Sequence, residues 1–470
     1  MLLSAAILIL QQQQTAAAPQ VWQKLVAPGV TYRMEVDPSI PLIFNAVRFS
    51  PSAAGLSLVG ELSGGQVFDP AAENKGTDTI THMALRTGSL VAVNGDFFPY
   101  TGDPLGAMVI DGELISSAKT GRATFCWGST GSVAAYLESS ADIKYAGNTV
   151  PINGVNMQCG DDMLTFFTDK AGYAVSEKLA TFAILDLPYK ITPNGVWKAT
   201  VKRVIKEVNT EPLEKGECAI VYSGSRQEPL AALRAGEDVQ VHVSTTGVDL
   251  EKFPNVVGGG PFLVKEGQVF APFADEGFTQ GFADKRHPRT AIGRTNDGDV
   301  WLVTFDGRQE MSAGVSIQEE AEIMRRLGCV DAINLDGGGS STLNIGSVTL
   351  NRPSEGGERP VASALLILRT GQPEKPASQA DGTPPVIAGP AKIMVGETAQ
   401  YHLVQADGTD VPNERVLWSA QGGAWIDQSG LLHGAAEGSC FILVYSSGQI
   451  VSLTVQVTKE TDQRAYCETK

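Results

Sequence analysis

The sequence is poor in the residues from which metal centres and histidine-driven active sites are built. Its five histidines, His82, His242, His287, His402 and His433, lie far apart, so a His-rich metal site or a Ser-His triad has little support. The six cysteines, Cys126, Cys159, Cys218, Cys329, Cys440 and Cys467, contain no C-x-x-C pair. That disfavours zinc and leaves any disulfide pairing open. Basic residues are outnumbered, 36 Lys and Arg against 52 Asp and Glu, for a net charge of −16. Such a field repels polyphosphate backbones and argues against nucleic acid as a partner. Beyond the N-terminus no run approaches the ~20 apolar residues that span a bilayer.

What is present describes a folded, loop-rich protein: 43% apolar residues, 19% charged residues and 51 glycines. A length of 470 residues implies two or three packed units. Residues 1–18 open with an apolar run and end in small residues before Pro19, as a signal peptide does, although Lys24 is the first basic residue. The expected location is therefore secreted or at the cell surface. Residues 370–383 are polar, rich in Pro and Gly, and read as a linker. Residues 384–458 hold short strand-like runs separated by turn signals such as Asp407-Gly408, which predicts a small all-β sandwich. A polar tail, 459–470, follows.

Residues 21–369 should form the larger unit. Leu90–Val93 and Val300–Phe305 read as buried strands. Ser316 to Leu327 reads as a helix, with a capping box from Ser316 and Glu319, a stop at Gly328, and Ile317, Ala321, Met324 and Leu327 on one face. Val330–Leu335 is then a second strand. The order strand, helix, strand predicts a crossover connection in a layered α/β or α+β domain.

Chemistry should gather where polar residues meet strand ends. Asp336-Gly337-Gly338-Gly339-Ser340-Ser341 places a carboxylate before three residues without side chains and two hydroxyls. Three glycines exceed what a turn needs and allow a ligand close to the N–H groups. Asn94-Gly95-Asp96-Phe97-Phe98 repeats the design: Asp96 as a partner carboxylate, Asn94 for a sugar hydroxyl, a phenylalanine as stacking wall. Arg289, followed by Thr290, and Arg308, which follows Asp306 and Gly307, offer guanidinium forks suited to phosphate. Asn351, Arg352, Glu358 and Arg359 lie on a glycine-rich loop entering a final strand. Val257-Gly258-Gly259-Gly260-Pro261 is a glycine bend that should shape the pocket by close backbone approach. No complete oxygen-ligand motif is visible; no cofactor is required, and calcium or magnesium is compatible with the carboxylate-bearing loops.

The strings APGVTYR, VAVNGDFF, VVGGGPFLV, RHPRTAIG, NLDGGGSSTL and NRPSEGGERPVASALLI, in this order between Val26 and Leu368, resemble the phosphodiester glycosidase family. The resemblance implies a mixed α/β sheet catalytic domain, so that the expected fold class is α+β followed by an all-β immunoglobulin-like sandwich. It also implies hydrolysis of a sugar C1–O–phosphate bond. The family's functional positions would fall on Asn94, Asp96, Arg289, Thr290, Asp306, Asp336, Ser340, Ser341 and Arg359. Many relatives carry a small residue where this chain has Asp96, so Asp336 is the stronger catalytic candidate. In full, the expected catalytic residues are Asp336, Asp96 and Asp306. Substrate contacts are expected from Asn94, Arg289, Thr290, Arg308, Gly337, Gly338, Ser340, Ser341, Asn351, Arg352, Glu358 and Arg359. Residues 125–251 carry no strong motif and read as an insertion. The segment Trp425 to Tyr445 resembles bacterial immunoglobulin-like domains, which serve as spacers or contact surface glycans. Two other functions fit the residues: an exo-glycosidase on cell-wall glycans, and a non-catalytic glycan-binding surface protein.

Overall fold

Strands carry almost all of the regular structure. The computed structural model describes residues 18–99, 101–187, 190–370 and 384–459, and within them are thirty-five strands but only three α-helices, Ile80–Thr87, Gln280–Asp284 and Ile317–Arg326. The α+β expectation is thereby corrected: the larger unit is nearly all β. The expected strand–helix–strand connection is present, whereas most connections are turns and hairpins between antiparallel strands. The signal-like segment, nearly all of the linker and the polar tail lie outside the described residues, as does Cys467. The other five cysteines are buried and unpaired. No helix among the described residues is long and apolar enough to cross a membrane.

The connection itself exists. Val300–Phe305 leads through the helix Ile317–Arg326 to Cys329–Asn334, and both strands pair antiparallel with Arg289–Thr295 between them. Ser316 caps the helix by accepting from the Glu319 amide at 3.2 Å, and Glu319 returns the contact to the Ser316 amide at 2.9 Å. These strands form the middle of an antiparallel eight-stranded sheet that also holds Gln20–Ala27, Val30–Asp37, Leu42–Phe49, Phe262–Lys265 and Gln268–Val269.

Alternation along each strand divides this sheet's side chains between two cores. Ala291, Val303 and Ala332 pack with Ile317, Ala321 and Met324 of the helix. Their neighbours Ile292, Leu302 and Ile333 pack against a five-stranded sheet that contains Val91–Asn94, Leu343–Ile345 and Ser363–Arg369. The candidate site belongs to the second side, where two sheets meet.

Residues 138–246 supply strands of another eight-stranded sheet, dominated by the long hairpin Tyr173–Asp186 and Gly195–Pro212. The segment read as an insertion therefore has its own β layer, whose apolar cores it shares with Leu62, Val67, Phe68, Val109, Leu114 and Val256.

Residues 386–458 form four-, three- and two-stranded sheets around Trp418, Tyr401 and Ile442. This unit is fastened to the larger one. Arg352 Nη2 donates to the Gly422 carbonyl at 2.7 Å, Gln421 Nε2 to the Asn351 carbonyl at 2.8 Å, and Ser419 Oγ to the Thr349 carbonyl at 2.5 Å. Buried Lys24 donates to the Val416 carbonyl, and burial pushes its ammonium down to about 7, with Asp427 and Glu414 opposing.

Candidate active site

The glycine turn and the Asn94-Gly95-Asp96 segment are joined directly. The Asp336 amide donates to the Gly95 carbonyl at 3.1 Å, and Asn94 Nδ2 donates to the Asp336 carbonyl at 2.8 Å. Asn94 Oδ1 accepts from Thr290 Oγ1 at 2.8 Å and from the Thr342 amide at 3.1 Å, while Thr290 Oγ1 also reaches Ser341 Oγ at 3.2 Å. Asn94, Thr290 and Ser341 are fully buried and satisfy one another. They hold the floor in shape and offer a substrate little. Gly338 sits at φ +66°, and a Cβ on Gly337 would meet the Pro288 carbonyl at 2.8 Å. The turn thus needs its glycines both for conformation and for close approach.

Two carboxylates rise from this floor. Asp96 accepts from the Phe97 and Gly106 amides, both at 2.7 Å. Gly106 and Gly258 leave room for it, because a Cβ on either would collide with its Oδ2. Burial pushes Asp96 up to about 6; Arg122 and the two amides oppose this, and the Asp336 charge adds to it. Burial likewise pushes Asp336 up to about 6, against the Ser340 hydroxyl, the Gly337 amide at 2.8 Å and the Arg359 charge.

Asp336 lines a cleft of about 720 Å³ together with Glu73, Asn74, Lys75, Thr77, Phe98, Pro99, Glu355, Arg359 and Pro360. Phe98 and the two prolines form the apolar part of this wall. Arg359 is ion-paired with Glu355, through its Nε at 3.1 Å and its Nη2. The contribution of Glu73 to Thr77 was not foreseen, since that polar loop carries no motif or periodicity.

Several expected residues are placed elsewhere. Arg289 is corrected as a phosphate clamp. It is 2% exposed, lies on the helix side of its strand, donates to the Val315 and Phe282 carbonyls at 2.8 and 2.6 Å, and faces Glu320 at 3.9 Å. Asp306 is not part of the cleft wall; it is buried, accepts the Arg352 amide at 3.0 Å, and is pushed up to about 7 by burial. Asn351 bridges the Leu343 amide and the Ser341 carbonyl at 2.7 and 2.8 Å, and Arg352 reaches the C-terminal unit. Glu358 accepts from the Thr81 amide and hydroxyl at the start of the helix Ile80–Thr87, where a negative charge is favourable. Arg308 is exposed, with its guanidinium beside Gly338.

One cation was missed. Arg122 lies 5.2 Å from the Phe97 ring centroid and 4.5 Å from that of Phe278, and its Nε and Nη1 are buried without a hydrogen-bond partner. As a single arginine entering the strand Ala123–Gly128, it had no motif to mark it. Among the described residues no three His, Cys, Asp or Glu side chains converge as a metal site.

Paired carboxylates beside an aromatic wall are the equipment of glycoside hydrolases. Residues 194–368 match the family model described as phosphodiester glycosidase. The chain is 27% identical over 322 residues to the N-acetylglucosamine-1-phosphodiester alpha-N-acetylglucosaminidase of Bos taurus, covering 60% of this chain and 58% of that protein. It is 35% identical over 108 residues to the SPbeta prophage-derived uncharacterized protein YomE of Bacillus subtilis (strain 168), covering 23% and 16%. The chain thus spans less than two thirds of either relative. In fold it resembles a hypothetical protein from Synechocystis, with a TM-score of 0.61, 23% identity, and coverage of 75% of this chain and 64% of that one.

Proposed function

We propose that this protein hydrolyses a sugar-1-phosphodiester of the N-acetylglucosamine-1-phosphodiester type and releases the sugar. The observation that carries this reading is the pair Asp336 and Asp96. They stand on segments hydrogen-bonded to each other, both are pushed up to about 6, and Asp336 opens into the cleft beside Phe98. A phosphate ester leaves readily as an anion, so the site must stabilise positive charge at C1 and position water more than it must supply a proton. Ionised Asp336 acts at C1, either as base toward the attacking water or as nucleophile. The C1–O bond breaks with its electron pair going to the phosphate oxygen; the water oxygen ends on C1. Asp96 is the second carboxylate, and its coupling to Asp336 lets one hold a proton while the other is ionised. The protein acts as a secreted or surface-held enzyme on carbohydrate, with the signal-like residues 1–18 as the basis for that location.

The test compares a GlcNAc-1-phosphodiester with an aryl α-N-acetylglucosaminide. Release of GlcNAc from the phosphodiester, abolished in Asp336→Asn, is expected. Turnover of the aryl glycoside alone would favour an exo-glycosidase on cell-envelope glycans. Binding of both without turnover would favour a glycan-binding protein.

A further inference from the structure

A phosphodiester substrate brings a negative charge into a chain of net −16, so the cleft needs a cation with hydrogen bonds to spare. Several of the arginines singled out by sequence are already engaged. Arg289 is bonded to backbone carbonyls, Arg352 to Gly422, and Arg359 to Glu355.

Arg122 differs. Among the described residues no hydrogen bond or ion pair engages its guanidinium, and its Nε and Nη1 are shut off from solvent. The two nearby carboxylates already have partners. Asp96 accepts the Phe97 and Gly106 amides, and Glu276 accepts the Phe262 and Ala123 amides at 2.8 and 2.9 Å. A guanidinium withdrawn from water without hydrogen-bond partners is costly to keep. Here the faces of Phe97 and Phe278 hold it in one orientation. Its backbone is fixed as well: the Arg122 amide closes a turn onto the Lys119 carbonyl at 3.1 Å, and the Gly121 amide donates to Glu138 Oε1 at 3.1 Å. The turn places exposed Lys119 beside Arg122. It also lies next to Asp96, because the following residue, Ala123, accepts from the Gly259 amide at 3.1 Å while Gly258 abuts Asp96.

We propose that the turn Lys119–Arg122 is the anion-binding element of this site, with the stacked Arg122 guanidinium and the Lys119 ammonium taking the non-bridging oxygens of the substrate's phosphate. The proposal rests on the phosphodiester reading above and adds which residues recognise the phosphate. Arg308, exposed beside Gly338, and Lys75 and Arg359 of the cleft wall are the competing cations, and none of them is held between rings.

Calorimetric titration of the full chain with inorganic phosphate, GlcNAc 1-phosphate and neutral GlcNAc tests it. The wild type is expected to bind both phosphates in a salt-sensitive way. Arg122→Met should weaken phosphate binding by about tenfold or more, the loss typical of a charged hydrogen-bonding partner. Lys119→Ala, at an exposed position, should weaken it several-fold without altering the melting temperature, and neither variant should change affinity for neutral GlcNAc. Arg122→Lys, which keeps the charge but loses the fork, should fall between wild type and Arg122→Met. Absence of phosphate binding in the wild type would overturn the proposal. So would unchanged phosphate binding in both Lys119→Ala and Arg122→Lys, or a loss confined to Arg308→Ala. Turnover is read separately: phosphate binding that depends on Arg122 in a protein that hydrolyses no phosphodiester would leave the anion site standing and remove the reaction.

Discussion

Arg289 and Thr290 are consecutive residues at the start of one strand, and they serve different halves of the molecule. Thr290 faces the second sheet and ties Asn94 to Ser341 beneath the glycine turn. Arg289 faces the helix Ile317–Arg326 and closes onto backbone carbonyls and Glu320. The uncharged neighbour therefore supports the candidate site, while the charged one supports the packing of a helix. A guanidinium in a motif indicates a structural obligation as readily as a ligand, and the alternation of the strand decides between them.

The sharpest break between these two regions should come from Asp336. Replacing it by Asn is expected to lower turnover on the order of 10³-fold, the scale of a lost general base or nucleophile, with little change in melting temperature; near-normal turnover would remove Asp336 from the chemistry. Arg289→Ala should do the reverse. It leaves the buried Val315 and Phe282 carbonyls without their donor, a loss of about 1–3 kcal/mol in stability, while the folded fraction keeps its specific activity in an active-site titration.

Proton linkage separates the regions next. Asp336 and Asp96 are raised to about 6, so a reaction that needs ionised Asp336 should lose rate as pH falls through about 6 and level off above it. Stability should follow a different course. Asp306 is raised to about 7 by burial, and Glu320 to about 8 despite the opposing Arg289; each binds its proton more tightly folded than unfolded. Their stabilising contributions are complete below the ordinary carboxylate range and are lost as pH rises through about 7 and 8. Thermal melting should therefore improve from pH 8 to pH 5, and Asp306→Asn should flatten that trend.

The smallest effect is expected at the seam with the C-terminal unit. Gln421→Ala removes the bond to the Asn351 carbonyl, and Asn351 in turn holds the Ser341 carbonyl. About 1 kcal/mol of stability should be lost, and a modest fall in kcat with unchanged KM would show that the seam steadies the glycine turn. No change in kcat would confine the C-terminal unit to a role in stability.

Local features were legible in the residues themselves. The helix from Ile317, its capping box, the buried strands Val91–Asn94 and Val300–Phe305, and the excess of glycine after Asp336 all follow from short-range rules: side-chain periodicity, capping hydrogen bonds and the freedom of a residue without Cβ. Fold class was misjudged because one helix between two strands does not reveal how the remaining strands pair. Only tertiary structure decided that Asp306 and Arg352 would bind one another's loop, that Glu358 would cap a helix more than 270 positions earlier in the chain, and that a lone arginine at position 122 would be stacked beside Asp96. Those outcomes depend on which distant backbone amide or carbonyl reaches a buried charge first, and sequence spacing carries no record of that.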